Sequence, residues 1–393
     1  MLQNGADIYV ISGQQRPHRL PGLSIGSAQL TQPGGKTASS AVFCMWVMNW
    51  RAEIDMSANY TANMLENISI NSLRGWHICS VIVSSSGKCD KVKMRKPTSL
   101  IDPGHILFDR RAVADHRRRA VRMDWPRYRF LFDEVAARLA ERLLDINHDF
   151  ELALDLGGRG GGFAEQVISL KKAQQVIRTD ICAEMLRDAK DSAVVVDEEF
   201  LPFKPATFDL VGSVLALHWT NDLPGSLAQI RSILKPNGLF LGALFGIDSL
   251  QELKSCLFEA ESDIKGGVSP RVSPFTEIRD AGALLQRAGL ALPVTDTEMI
   301  TLKYEHPFAL MHELRGMGEA NALMARQKNF TGRKVLMRAA ELYLERYADE
   351  NGRVPATFQI IYMTGWSPHD SQQKPLRRGS AHHNMSDILK TDD

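Results

Sequence analysis

The chain has 393 residues, 44% of them hydrophobic and 24% charged, enough to bury a full α/β core and carry extra segments. Its formal charge of +1 argues against dedicated nucleic-acid binding, and its longest apolar stretch, Ala41 to Trp50, falls far short of the roughly 20 residues a membrane-spanning helix requires. Five cysteines, Cys44, Cys79, Cys89, Cys182 and Cys256, odd in number and without C-x-x-C spacing, indicate neither a disulfide framework nor a zinc site.

Residues 1–105 lack sustained periodicity and are expected to hold little fixed structure. The first 52 residues carry one acid, Asp7, against Arg16, Arg19, Lys36 and Arg51. That imbalance suits an organelle-targeting region and equally an upstream extension without structure. From Phe108 to Arg129, eight arginines face three acids. This predicts a cationic helix or arm, either a solvated face or a contact for an acidic partner or anionic lipid. Leu131, Val135, Leu139, Leu143 and Leu144 then recur at helical spacing, so an amphipathic helix precedes the first strand.

The apolar run Phe150 to Leu154 breaks into Asp155-Leu156-Gly157-Gly158-Arg159-Gly160-Gly161-Gly162. Two further β-like runs, Gln175 to Thr179 and Ala193 to Val196, end on Asp180 and Asp197. Three successive strands thus deliver carboxylates to one sheet edge, where an open parallel sheet binds ligands and glycines let backbone come close. Asp155 suits the cationic methionine half of S-adenosylmethionine, Asp180 its ribose hydroxyls and Asp197 its adenine amino group. An acid before the glycines would repel the pyrophosphate of a dinucleotide.

Strands follow at Phe208 to Leu217 and Leu239 to Phe245, joined by a helix from about Pro224 to Leu234 and a tight turn at Lys235-Pro236-Asn237-Gly238. Helices are expected at Leu250 to Ile264 and Ile278 to Ala288, and strand pieces at Leu292 to Val294 and Met299 to Tyr304. A helical insertion around 305–350, with segments Phe308 to Met324 and Gly332 to Tyr347, precedes a last strand, Ala356 to Trp366. The fold class is α/β: a Rossmann-like, doubly wound sheet of about seven strands with an antiparallel edge, spanning 106–366, with a polar tail at 367–393.

Asp197-Glu198-Glu199-Phe200-Leu201-Pro202-Phe203, Leu217-His218-Trp219-Thr220-Asn221-Asp222-Leu223-Pro224 and Leu234-Lys235-Pro236-Asn237-Gly238 resemble class I methyltransferases. Ser273-Pro274-Phe275, Arg315-Gly316-Met317-Gly318-Glu319 and Ala356-Thr357-Phe358-Gln359-Ile360 are similar, more narrowly, to the methyltransferase-like assembly factor 5 family of respiratory complex I, mitochondrial arginine hydroxylases. The likeness runs from about Phe108 to Ala381. It implies a matrix protein peripheral to the inner membrane that works with other assembly factors and modifies an arginine of a complex I subunit, and the basic segment 108–129 read above is where such a protein would touch the membrane.

Carried over by position, Asp155, Gly157, Gly158 and Gly161 match the cofactor loop, Asp180 and Ile181 the ribose side, Asp197 and Glu198 the adenine side, and Leu217, His218 and Trp219 the rim. Arg159 stands where that family has glycine, Gly160 where it often has arginine, and Gly158 replaces a common cysteine. An arginine at that close-approach point blocks or repositions the cofactor.

His218, at a strand end, is either a proton acceptor or a packing residue beside Trp219, itself a pocket wall. Arg271 and Glu319 are either substrate contacts, the glutamate pairing with a guanidinium, or loop caps. Hydroxylation normally needs a redox cofactor, yet none of the eleven histidines is followed two residues later by an acid, so no metal site is expected. Two other functions remain open: O-methyl transfer to a small molecule or acyl carrier, and a catalytically silent assembly chaperone.

Overall fold

The computed structural model describes residues 8–10, 106–189 and 192–373. The expected N-terminal extension and polar tail therefore lie outside the described residues, apart from Ile8–Val10 and 367–373. A sheet of order β1-β4-β3-β2-β5-β6-β8-β7 forms the middle layer. Its seven expected strands are β2 (Phe150–Leu156), β3 (Ala173–Asp180), β4 (Ala193–Val195), β5 (Phe208–Val214), β6 (Leu234–Phe245), β7 (Ala291–Tyr304) and β8 (Val354–Trp366). An eighth, β1 (Ile8–Val10), extends the edge by pairing in parallel with β4. β2 pairs in parallel with both β3 and β5, whereas β8 runs antiparallel between β6 and β7.

β2 is central and buried on both faces from Ala153 to Leu156, which is why its sequence reads as a continuous apolar run ended by an acid. The chain winds outward through β3 and β4 and then crosses back to β5. The carboxyl ends of β2 and β5 therefore flank the switch point where such sheets form a crevice.

The helices are α1 (Arg110–Arg122), α2 (Trp125–Tyr128), α3 (Phe130–Glu141), α4 (Gly162–Ser169), α5 (Leu223–Ile233), α6 (Gln251–Lys265), α7 (Ile278–Arg287), α8 (Pro307–Gly316) and α9 (Arg333–Tyr347). One face of the sheet packs on α3, α4, α6 and α9 through Val135, Leu139, Phe163, Leu253 and Tyr343. The other packs on α5 and α7 through Leu227, Ile230, Ala281 and Leu285.

Several segments differ from their sequence reading. The two strand pieces near 291–304 are one continuous strand, because β8 pairs with it along its length and the register shift falls between Ala291 and Val294, where Pro293 has no N–H to donate. The helix expected to reach Met324 stops at Gly316, and Gly318 follows with φ +78°, a left-handed residue of the kind that ends helices. The chain then folds back so that Leu323 bridges Phe108.

The arginine-rich stretch is not one cationic arm. Asp109 caps α1 through Ala112 N–H, and Arg110 and Arg117, two turns apart, share the inward face with Val113. Arg118 pairs with Asp115 and Glu184, and Arg129 with Asp133 and Glu165, leaving Arg111, Arg122 and Arg127 exposed.

Candidate functional site

The glycine turn leaves β2 as expected, and Asp155 lies beneath it. This carboxylate is 0% exposed, and its Oδ2 accepts from Ala164 N–H at 3.2 Å in the first turn of α4. A Cβ on Gly158 would lie 2.4 Å from Oδ2, so the carboxylate fills the space under the turn and requires glycine above it. Gly157 (φ +70°) is required by its conformation and by Glu198, whose Oε1 would be 2.7 Å from a Cβ there. A Cβ on Gly161 (φ +90°) would strike the Arg178 guanidinium.

Burial raises the Asp155 pKa from 3.8 to about 7, against the opposing pull of Arg178. Between those values the folded chain holds a proton that the unfolded chain has released. The Asp155 contribution to stability therefore falls as pH rises through this window, by at most about 4 kcal/mol. Urea unfolding of Asp155→Asn at pH 5 and pH 8 checks this: the variant gains on the parent chain at the higher pH, and equal differences at the two pH values count against it.

The remaining acids meet α1. Asp180 Oδ2 accepts from Arg117 Nη1 at 3.0 Å and from Arg159 N–H at 3.2 Å, and its Oδ1 accepts from Cys182 N–H at 2.7 Å. Glu198 Oε1 accepts from Arg117 Nη1 at 2.7 Å, and its Oε2 from Arg110 Nη2. Asp197 Oδ1 accepts from Arg110 Nη2 at 2.7 Å. Burial alone would raise the Glu198 pKa, but Arg117 and Arg110 overcome it and hold the carboxyl well below the usual range. Arg117 is 0% exposed, and its Nε and Nη2 have no hydrogen-bond partner among the described residues.

These acids have the chemistry an adenosyl group needs: strand-end carboxylates that accept from hydroxyl and amino donors, beside glycines that permit close approach. In this structure each of Asp180, Asp197 and Glu198 accepts from an arginine side chain of the same chain. The space at the turn, lined by Trp125, Phe132, Gly158 and Arg159, amounts to about 10 Å³. The residue set fits S-adenosylmethionine, with Arg117 Nη1 bonded to one oxygen each of Asp180 and Glu198.

Across the crevice, Arg159, His218, Trp219 and Glu319 come together. Arg159 pairs with Glu319 through Nη2. Its Nη1 donates to Met317 O at 3.1 Å, its Nη2 to Leu215 O at 3.2 Å, and its guanidinium carbon lies 4.6 Å from the Phe132 ring centroid. Trp219 Nε1 donates to Glu319 Oε2 at 3.0 Å, and His218 Nε2 lies 3.3 Å from the same oxygen. Burial would raise the Glu319 pKa, but Arg159 and His218 lower it to about 2, so the group is a carboxylate and can only accept. Nε2 therefore carries the histidine proton, leaving Nδ1, buried and unpartnered among the described residues, with a free lone pair. Burial lowers the His218 pKa despite Glu319, and Phe245 packs against the ring at 4.9 Å.

Glu319 and Trp219 also line a cavity of about 300 Å³ walled by Phe245, Leu253, Phe275, Leu314 and Phe358, with Arg119, Arg271 and Arg315 among its polar residues. Arg271 is held away from the Glu319 cluster: Glu261 binds it through Nε at 3.2 Å and Nη2 at 2.6 Å, and Thr331 takes Nη1. Leu217 packs in the apolar core with Leu156 and Leu227, so it supports the rim from below. Ile181 is half-buried directly after Asp180. No cluster of three or more His, Cys, Asp or Glu suited to a metal occurs among the described residues.

Sequence reasoning missed Arg110, Arg117 and Asn221. The spacing of seven between the arginines, around Val113, was the available signal for an inward face. Asn221 Oδ1 accepts from the N–H groups of Leu107 at 2.8 Å and Phe108 at 2.7 Å, docking the start of α1 beside Trp219.

Residues 154–242 match the family model described as a methyltransferase domain. The chain is 41% identical over 321 residues to the arginine-hydroxylase NDUFAF5, mitochondrial, of Mus musculus, covering 80% of this chain and 93% of that protein. The Homo sapiens protein of the same name is also 41% identical, with 78% and 92% covered. A malonyl-[acyl-carrier protein] O-methyltransferase of Laribacter hongkongensis is 32% identical, covering 69% of this chain and 91% of that protein. With the glycine turn, the strand-end acids and His218 inside the matched residues 154–242 and the 41% identity over most of both chains, the chain belongs to the mitochondrial NDUFAF5 arginine-hydroxylase family.

Proposed function

We propose that this protein is a mitochondrial assembly factor of respiratory complex I that hydroxylates an arginine side chain of a complex I subunit, working in the matrix at the inner membrane alongside other assembly factors. The observation that carries this reading is the 41% identity to arginine hydroxylases over nearly their whole length. The cluster adds chemical support, since Glu319 is a buried carboxylate already engaged with a guanidinium.

S-adenosylmethionine is the cofactor, held by Asp180, Asp197, Glu198 and the Gly157–Gly161 turn. When bound it would supply an activated sulfonium carbon, the donor that methyl transfer requires, whereas hydroxylation inserts an oxygen atom into a C–H bond and takes a two-electron oxidant as co-substrate. Under either reaction the chain's own groups orient the substrate side chain. Glu319 fixes the His218 tautomer so that Nδ1 accepts, and Trp219, Phe245 and Phe275 keep water from the imidazole. The residues exposed on α1 and α2, Arg111, Arg122 and Arg127, are the remaining candidates for contact with anionic lipid.

The likeness to a malonyl-[acyl-carrier protein] O-methyltransferase supports a second reading, methyl transfer to an acyl carrier. Mass spectrometry of complex I subunits from cells lacking this chain separates the two. Loss of a one-oxygen gain on an arginine is expected. Loss of a methyl mark from an acyl carrier measured in the same cells instead indicates methylation, and no change in subunits or carrier indicates a silent chaperone.

A further inference from the structure

The Arg159 guanidinium sits in a receptor for its own group, in which only its Nε lacks a partner among the described residues. A carboxylate, two backbone carbonyls and an aromatic face meet it from different sides, and Arg159 is 2% exposed. Its backbone is poorly suited to the residue. With φ +45° it lies in the left-handed region that glycine adopts freely, in a turn whose neighbours on both sides are glycines. A strained residue persists where its surroundings over-determine it, and such residues cluster at functional sites. The receptor has a second approach as well, because Glu319 and Trp219 also line the 300 Å³ cavity. Its walls, Phe245, Leu253, Phe275, Leu314 and Phe358, suit the methylene stem of an arginine, and its volume falls at the low end for small-ligand sites.

We propose that Glu319, reached through this cavity, is the subsite for the guanidinium of the arginine to be modified, and that Arg159 occupies it in place of the substrate until the substrate arrives. The inference rests on the arginine-hydroxylase reading and adds to it the receiving residue and a constraint on the substrate. Arg271 is neutralised by Glu261, but Arg119 and Arg315 have no ion-pair partner among the described residues. They repel a lone arginine. The substrate is therefore a protein segment that carries carboxylates beside its arginine.

The test uses the full chain, with acetyl-Asp-Arg-Asp amide as ligand and the peptide containing citrulline, uncharged and nearly isosteric, as its control. Arg159→Gly suits the left-handed backbone and empties the receptor. Calorimetry is expected to show the arginine peptide binding about tenfold or more tighter to Arg159→Gly than to the parent chain, because the competing internal occupant is gone. The citrulline peptide should bind neither chain, and Glu319→Gln should abolish the gain when added to Arg159→Gly. The same peptide should raise the Tm of Arg159→Gly more than that of the parent. Equal binding of arginine and citrulline peptides, no gain in Arg159→Gly, or a gain that survives Glu319→Gln would each overturn the proposal. Subunit hydroxylation by mass spectrometry reports separately: a chain that fails these binding tests yet supports hydroxylation loses this subsite and keeps the proposed function.

Discussion

Replacing Arg117 with methionine is expected to tighten S-adenosylmethionine binding by about tenfold or more while lowering the melting temperature of the free protein. Arg117 is buried among α1, Asp180 and Glu198, and its Nη1 bonds both carboxylates. Removing one partner of a buried ion pair costs about 3–5 kcal/mol, because the other charge stays behind unpaired. That cost falls on the free protein. A bound cofactor returns donors to Asp180 and Glu198, so part of the loss is recovered on binding and adds to the affinity, about 1.4 kcal/mol for each tenfold.

Methionine keeps the apolar bulk against the helix and removes the guanidinium. Calorimetry and thermal shift with and without cofactor give both readings. Asp180→Asn in the same background should abolish the gain, since the amide offers one acceptor where the carboxylate offers two oxygens. A variant that binds cofactor no better than the parent would show that Arg117 does not compete for this place.

The strand-end acids, the glycine turn and the order of helices and strands were legible because each rests on local pattern: apolar runs ended by acids, glycines where backbone turns, helical recurrence of leucine. Which carboxylates are free was not legible. Asp180, Asp197 and Glu198 are each engaged by an arginine 63 to 88 positions away, on a helix whose charge read equally well as a solvated face. Glu319 lies 101 positions from His218 and 160 from Arg159 in sequence. Their meeting depends on α8 ending at Gly316 and the chain doubling back to Phe108, whereas the apolar pattern continues through Met324 as if the helix did. The long edge strand shows the same limit, since Pro293 interrupts its pattern and the pairing with β8 carries it across that break.

Glu319→Ala should be among the most damaging single substitutions in the chain, with a loss of about 3–5 kcal/mol in unfolding free energy. The carboxylate pairs with Arg159 and accepts from Trp219 and His218, all of them buried. Without it the Arg159 guanidinium keeps the Met317 and Leu215 carbonyls and the Phe132 ring but no counter-charge, and the Trp219 N–H loses its acceptor. Arg159→Gly alone leaves Glu319 with two neutral donors and removes a left-handed strain, so its loss should be smaller. If the two side chains act as a pair, the double variant is less destabilised than the sum of the singles by about 1–3 kcal/mol, because no unpaired charge remains. Urea unfolding of all four chains closes the cycle. Additive losses would mean that the pairing contributes nothing and that Arg159 is held by its carbonyl and ring contacts alone.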